Sequence, residues 1–266
     1  MSDGGVDDAV LYERDGYVGL ITLNRPERLN AINTAMIADL SDVLLAAEQD
    51  RNVRVIILTG AGRGFCSGLD LQAVAEGSMG VGEGGSTSGV AIAEHPPFVL
   101  RRIDTPVICA LNGPASGYGM DLALGCDFII ASESATFVSP VKRSLVPESG
   151  GTWLLPRLIG WQKACEVVLL SRRLDAREIE RLGMANAVVA PDELMAEARR
   201  WADEVASNPP LAVAAAKRGM RFGLDSTFEG NAHFLMAELR QLMRTADFQE
   251  GVQSFIEKRP PTYEGR

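Results

Sequence analysis

The sequence predicts an α/β protein with a helical tail, and three observations carry that prediction. Short runs rich in branched side chains recur, each closed by a turn signal. Apolar residues at helical spacing lie between them. From Trp161 onward the strand-like runs give way to helix-favouring segments.

Tyr17 to Leu23 (YVGLITL) reads as a strand closed by Asn24-Arg25-Pro26. Val53 to Thr59 (VRVIILT) reads as another, closed by Gly60-Ala61-Gly62. Between them Ile37, Leu40, Leu44 and Ala47 fall on one helical face, with Asn33 and Thr34 available as the cap. Val107 to Leu111, Asp127 to Ala131 and Ala135 to Val138 are further strands, and Ser116 to Gly125 (SGYGMDLALG) is a helix entered through glycines. Residues Trp161 to Leu170, Asp175 to Leu182, Asp192 to Val205 and Thr227 to Thr245 favour helix. Asp175 with Glu178, and Asp247 with Glu250, have capping-box spacing, and Gly183 follows Leu182 as a C-terminal cap. The one low-complexity stretch, Gly77 to Gly89, holds six glycines and three serines. It reads as a surface loop or as a lid beside a pocket.

A chain of 266 residues, 46% apolar and 23% charged, is long enough to bury a core without disulfides or metals. Its 26 basic and 35 acidic residues give a net charge of -9, which opposes an extended contact with nucleic acid but leaves room for a small anionic ligand. Cys66, Cys109, Cys126 and Cys165 lack CxxC spacing, and His95 and His233 stand far apart. The expectation is a reduced, metal-free, cytoplasmic protein. No basic and apolar leader opens the chain, and no apolar run approaches the ~18 residues that span a bilayer, so no membrane partner is expected.

Several catalytic patterns fail on their own terms. Gly60-Ala61-Gly62-Arg63-Gly64 lacks the last glycine of GxGxxG, no Lys-Ser/Thr follows it, and no GxSxG occurs. The informative stretches are Leu58 to Leu71 (LTGAGRGFCSGLDL) and Asn112 to Asp121 (NGPASGYGMD). In each a strand opens through glycines toward a helix, a geometry that leaves backbone N–H groups pointing outward, as an oxyanion requires.

These stretches, together with ITLNRPERLNAIN at 21–33, VPESGGTWLLPRLIG at 146–160 and EGVQSFIEKRPP at 250–261, resemble the enoyl-CoA hydratase/isomerase (crotonase) superfamily. The similarity runs over roughly residues 10–265 and is greatest to its epoxyphenylacetyl-CoA isomerase and enoyl-CoA isomerase branch. The resemblance implies a spiral of ββα units over 1–200 that binds acyl-CoA. It also implies a helical region over 201–266 that forms a homotrimer or a dimer of trimers and covers the CoA site. The thioester carbonyl would lie between the amides of Ser67 and Tyr118. Coenzyme A would enter as part of the substrate, with no separate cofactor. Arg25, Arg28 and Leu29 would border the pantetheine and nucleotide, Cys66 and Asp70 the adenine pocket, Ser67 and Leu69 would also contact coenzyme A, and Phe255 and Lys258 would approach from the tail.

Hydratases of the family carry two glutamates where this chain has Asp121 and Val141. Glu148 stands where the isomerase branch places its single catalytic carboxylate, and one carboxylate suffices to move a proton between two carbons. The expectation is therefore double-bond isomerisation by Glu148, in a surround of Phe65, Val141 and Trp153 that would raise its pKa. Two alternatives remain: hydration of a trans-2-enoyl-CoA by Asp121 and Glu148, and a CoA-binding paralogue without catalysis. Outside a family position, Glu148 reads as a surface-loop acid and Asp121 as a solvated acid near a helix start.

Overall fold

The computed structural model describes residues 9–77, 79 and 91–266. The chain opens on a hairpin, β1 (Val10–Asp15) and β2 (Val18–Leu23), followed by α1 (Thr34–Gln49) and β3 (Val55–Gly60). Two short helices, α2 (Leu71–Ala75) and α3 (Pro96–Leu100), precede β4 (Val107–Leu111), β5 (Pro114–Ser116) and α4 (Tyr118–Leu124). Next come β6 (Phe128–Ser132), β7 (Thr136–Val138), α5 (Gly151–Ile159), α6 (Trp161–Leu170), β8 (Leu174–Asp175), α7 (Ala176–Arg181) and β9 (Ala187–Val189). Four helices close the chain: α8 (Leu194–Ala206), α9 (Pro210–Gly223), α10 (Phe228–Leu242) and α11 (Ala246–Glu257).

A six-stranded sheet runs in the order β1-β2-β3-β4-β6-β9, parallel throughout except for the β1/β2 hairpin. A second sheet has the order β5-β7-β8. Each turn of chain thus lays one strand in the large sheet and the next in the small one: β4 then β5, β6 then β7. Cys66, which pairs with Ala115 by an isolated parallel bridge, gives β3 a matching partner.

Both faces of the large sheet are covered, which is why VRVIILT is apolar at consecutive positions rather than at alternate ones. Ile56 and Leu58 pack with Ile37, Leu40 and Leu44 of α1, while Val55 and Ile57 face Ala198 and Ala202 of α8. Asn33 caps α1 by accepting from the Met36 amide at 2.9 Å. Asp175 and Glu178 form the expected capping box on α7.

One local expectation needs correction. Thr245, not Asp247, caps α11; Asp247 turns instead to the Glu264 and Gly265 amides, at 2.7 and 2.9 Å, and Glu250 pairs with Arg259. Strand β1 and helix α9 are additional elements. Helix α9 is fastened to the core by Lys217, whose Nζ lies 2.6 Å from Asp127, and by Arg218 and Arg221 on Asp104. Of the glycine-rich stretch, residues 78 and 80–89 lie outside the described residues. No helix among the described residues is long and apolar enough to cross a membrane.

Candidate active site

The loop after β3 is organised by Asn30, which is fully buried in a left-handed conformation. Its Nδ2 donates to the Ala61 and Gly64 carbonyls at 3.0 and 2.8 Å, and its Oδ1 accepts from the Arg25 amide at 2.8 Å. The loop is thereby tied to the segment that follows β2. The amides of the turn can then be accounted for one by one. Cys66 N donates to the Pro114 carbonyl (3.2 Å), Ser67 N to Leu29 (3.0 Å) and Asp70 N to Ile32 (2.8 Å), while Gly68 N faces the Cys66 sulfur. The Leu69 amide has no acceptor among the described residues, and Leu69 lines the cleft. The expectation for Ser67 is therefore corrected: its amide is spent on Leu29, and the unengaged donor of this turn lies two residues on.

The second turn supplies Tyr118, the first residue of α4. Its amide precedes the first intrahelical bond and has no acceptor among the described residues. Gly117 enters this helix at φ 52°, and Gly68 holds φ 96° opposite it. A Cβ on Gly68 would stand 2.6 Å from the Ser116 carbonyl and 3.7 Å from the Tyr118 nitrogen, so the two turns are in contact only because both are glycine-rich. The Tyr118 ring is buried, and burial pushes its phenol pKa up.

A cleft of about 310 Å³ opens at this junction, and Arg28, Leu69, Asp70, Tyr118, Arg143 and Glu148 are on its wall. Ser67 lines it too, with its hydroxyl donating to the Arg28 carbonyl at 3.3 Å. Arg28 reaches Gln72 Oε1 at 2.5 Å, and Asp70 caps α2 through the Gln72 and Ala73 amides. Arg143, Leu145 and Val146, from the loop over 139–146, also line the cleft. Arg25 does not face the cleft: it donates to the Ala31 carbonyl at 2.6 Å and pairs with Asp70 at 3.0 Å, so it is a brace for the loop. Leu29 contributes its carbonyl to Ser67 from a left-handed residue. Cys66 is fully buried, and burial pushes its thiol up to about 12, which leaves no thiolate for nucleophilic work. Phe255 and Lys258 lie apart from the cleft in the same chain. Phe255 is exposed on α11 beside a groove of Leu211, Leu239 and Val252, and Lys258 ends that helix at φ 55°.

The two carboxylates occupy contrasting environments. Glu148 is exposed in the turn before α5, lines the cleft, and accepts from the Ser149 hydroxyl at 3.2 Å. Asp121 is fully buried on α4 and accepts from the Ser149 amide at 3.0 Å, so it is not the solvated acid that a helix start would suggest. Burial pushes its pKa up to about 7; the nearby Glu148 charge adds to the rise, and the Gly151 and Ser149 amides oppose it. The expected apolar surround of Glu148 is also corrected. Phe65 is a core residue, Val141 is not on the cleft wall, and Trp153 borders a second cavity of about 410 Å³, which Glu148 also lines. Asp121, by contrast, is out of water, and its carboxyl is the one that burial raises.

A spiral of strand pairs with two outward amides and a carboxylate at one cleft defines an α/β protein suited to stabilising an oxyanion. Comparison with known proteins agrees. The profile described as enoyl-CoA hydratase/isomerase matches residues 13–266. The protein named 1,2-epoxyphenylacetyl-CoA isomerase from Escherichia coli (strain K12) is 38% identical over 252 residues, covering 92% of this chain and 94% of its own length. The carnitinyl-CoA dehydratase of Salmonella enteritidis is 37% identical over 95% of this chain and 97% of its own length. An enoyl-CoA hydratase structure from Geobacillus kaustophilus HTA426 superposes with a TM-score of 0.88 at 34% identity, covering 98% of this chain and 100% of that one. The chain belongs to the enoyl-CoA hydratase/isomerase family, the crotonase superfamily, and has its fold.

Proposed function

We propose that this enzyme shifts a double bond in an enoyl-CoA, with the thioester oxygen held by the Leu69 and Tyr118 amides and Glu148 as the one proton carrier. The observation that supports this most directly is that Glu148 is the one glutamate on the cleft wall among the described residues, with Val141 at the second glutamate position of hydratases and Asp121 buried behind Ser149. In a 3-enoyl-CoA, Glu148 takes a proton from C2, the electron pair delocalises over the dienolate onto the thioester oxygen, and the same carboxyl returns the proton to C4. Two backbone donors on that oxygen are worth about 3 kcal/mol each. Coenzyme A is part of the substrate in this reading, and Arg28 and Arg143 are the cleft cations available to its phosphates.

Exposed Phe228 and Phe255, each 84% accessible on the terminal helices, favour a homotrimer or a dimer of trimers in which these faces are covered. Phe255 and Lys258 would then reach a neighbour's CoA.

The second reading, hydration by Asp121 and Glu148, is favoured by one observation: Asp121 is a near-neutral acid whose charge couples to Glu148. Spectrophotometry with trans-3-enoyl-CoA and trans-2-enoyl-CoA separates the two. Isomerisation of the 3-enoyl substrate is expected, with Glu148→Gln lowering kcat at least ~100-fold and Asp121→Asn retaining turnover. Hydration of the 2-enoyl substrate that both variants abolish would establish the pair instead.

A further inference from the structure

We infer that the cavity beyond Glu148 receives an acyl tail ending in a carboxylate, and that Arg101 is the residue that recognises it. This rests on the acyl-CoA reading above and adds a substrate class to it.

Glu148 borders both the cleft and the second cavity. An acyl-CoA with its thioester oxygen on the Leu69 and Tyr118 amides and its C2 to C4 segment at Glu148 therefore continues past that carboxylate into the second space. One side of this cavity is apolar: Pro97, Phe98, Trp153 and Leu154. Arg101, the residue that ends α3, breaks that character. Its guanidinium carbon sits 4.7 Å from the Trp153 ring centroid, and Arg157 approaches the same ring at 3.8 Å.

Among the described residues the Arg101 guanidinium has no hydrogen-bond acceptor and no ion-pair partner, its backbone amide alone being engaged, on the Pro97 carbonyl, whereas Arg218 and Arg221 nearby are both bound to carboxylates. Asp225 stands on the same cavity wall without pairing with it. The other charges acting on Arg101 are Arg221 and Arg157, which repel it, and Asp127, which is held by Lys217. Partial burial lowers the pKa of Arg101, a sign that the cation has lost water without gaining a partner. A planar fork of free donors at the polar end of an apolar cavity fits a carboxylate better than it fits a methyl group. The aromatic ring fixes the orientation of that fork.

The test is calorimetric binding of saturated CoA thioesters in matched pairs, hexanoyl against adipoyl and octanoyl against suberoyl, to wild type, Arg101→Met and Arg101→Lys. Turnover of the 3-enoyl substrate is assayed alongside. In at least one pair the wild type is expected to bind the carboxylate-ended thioester about tenfold more tightly or better, as a charge-assisted hydrogen bond would give. That ratio should fall to near one in Arg101→Met and to an intermediate value in Arg101→Lys, which keeps the charge without the fork. Because the readout is a ratio within each protein, a general loss of stability does not imitate it, and Arg101→Lys stands in if the methionine variant does not fold. A ratio near one in the wild type, or one that survives in Arg101→Met, overturns the inference. If the ratio holds while no 3-enoyl-CoA is isomerised, the isomerase reading fails and the carboxylate site stands. If isomerisation proceeds without a ratio, the reverse is true.

Discussion

Asp121 keeps its proton in the folded chain to about pH 7, against an unfolded value of 3.8. Between these values the folded state binds more protons than the unfolded one, so stability falls as pH rises from about 4 to about 7 and is flat beyond. A shift of this size is worth on the order of a few kcal/mol. Asp121→Asn copies the protonated state, so its melting temperature relative to wild type should rise between pH 5 and pH 8. A pH-independent difference would show that Asp121 is ionised throughout. The Cys66 thiol, buried and pushed up to about 12, should resist iodoacetamide at pH 8 while the partly exposed Cys126 and Cys165 are modified, as peptide mapping by mass spectrometry would report. Early labelling of Cys66 would mean that the first turn opens readily.

At the scale of elements, the contact between the two turns depends on Gly119 as well as Gly68. A Cβ at 119 would collide with the Cys66 carbonyl, which itself accepts from Ser116 at 3.0 Å. Gly119→Ala is expected to cost about 1–3 kcal/mol in denaturant unfolding, as overpacking does, and to abolish thioester binding by moving Leu69 away from Tyr118. Normal binding by this variant would show that the amides do not act together. The glycines that mark these turns were legible in the sequence, and so were the Asn33 cap and the capping box on α7. The choice between Ser67 and Leu69 was not, because it depends on a carbonyl 38 residues earlier, on Leu29, whose left-handed backbone no spacing reveals. Asp121 was illegible for a related reason: every residue of α4 is buried, so the helix has no polar face against which an acid could be judged out of place. Arg25 was read as a ligand contact because the resemblance places its loop beside coenzyme A, and a loop's position does not tell a brace, which Arg25 is, from a binding group. Helix α9 did leave a signal, Pro210 at its first position, where proline is preorganised for a helix start. Strand β1 left only the weak alternation of Val10 and Tyr12 along an edge.

For the whole molecule, α8 covers one face of the parallel sheet through apolar contacts, whereas the attachment of α9 depends on ion pairs between distant segments. Lys217 is 6% exposed and holds both Asp127 and the Thr105 carbonyl, while Asp127 also accepts from the Val107 amide at 2.8 Å. Lys217→Ala leaves that carboxylate without its cation, and a cost of about 2 kcal/mol is expected, below the fully buried case because Asp127 keeps some water. Limited proteolysis should then release a fragment beginning near α9; unchanged resistance would mean that the Asp104 pairs suffice. Sedimentation should show Phe228→Asp together with Phe255→Asp as monomers, if those rings are covered by other subunits; an unchanged oligomer would place the interface elsewhere.

The bridge between Cys66 and Ala115 has a consequence for how the chain acquires its site. The Leu69 and Tyr118 donors come from successive turns of the spiral, so neither has its counterpart until the second turn has docked on the first. Closing a contact of such sequence separation is entropically costly and late. A nascent chain ending before β5 would therefore hold half of the proposed anion site and should have no affinity for the thioester. A saturating non-reactive acyl-CoA should, in turn, act as a clamp across the two turns, raising the melting temperature with ligand concentration and conferring exchange protection on the Leu69 and Tyr118 amides together.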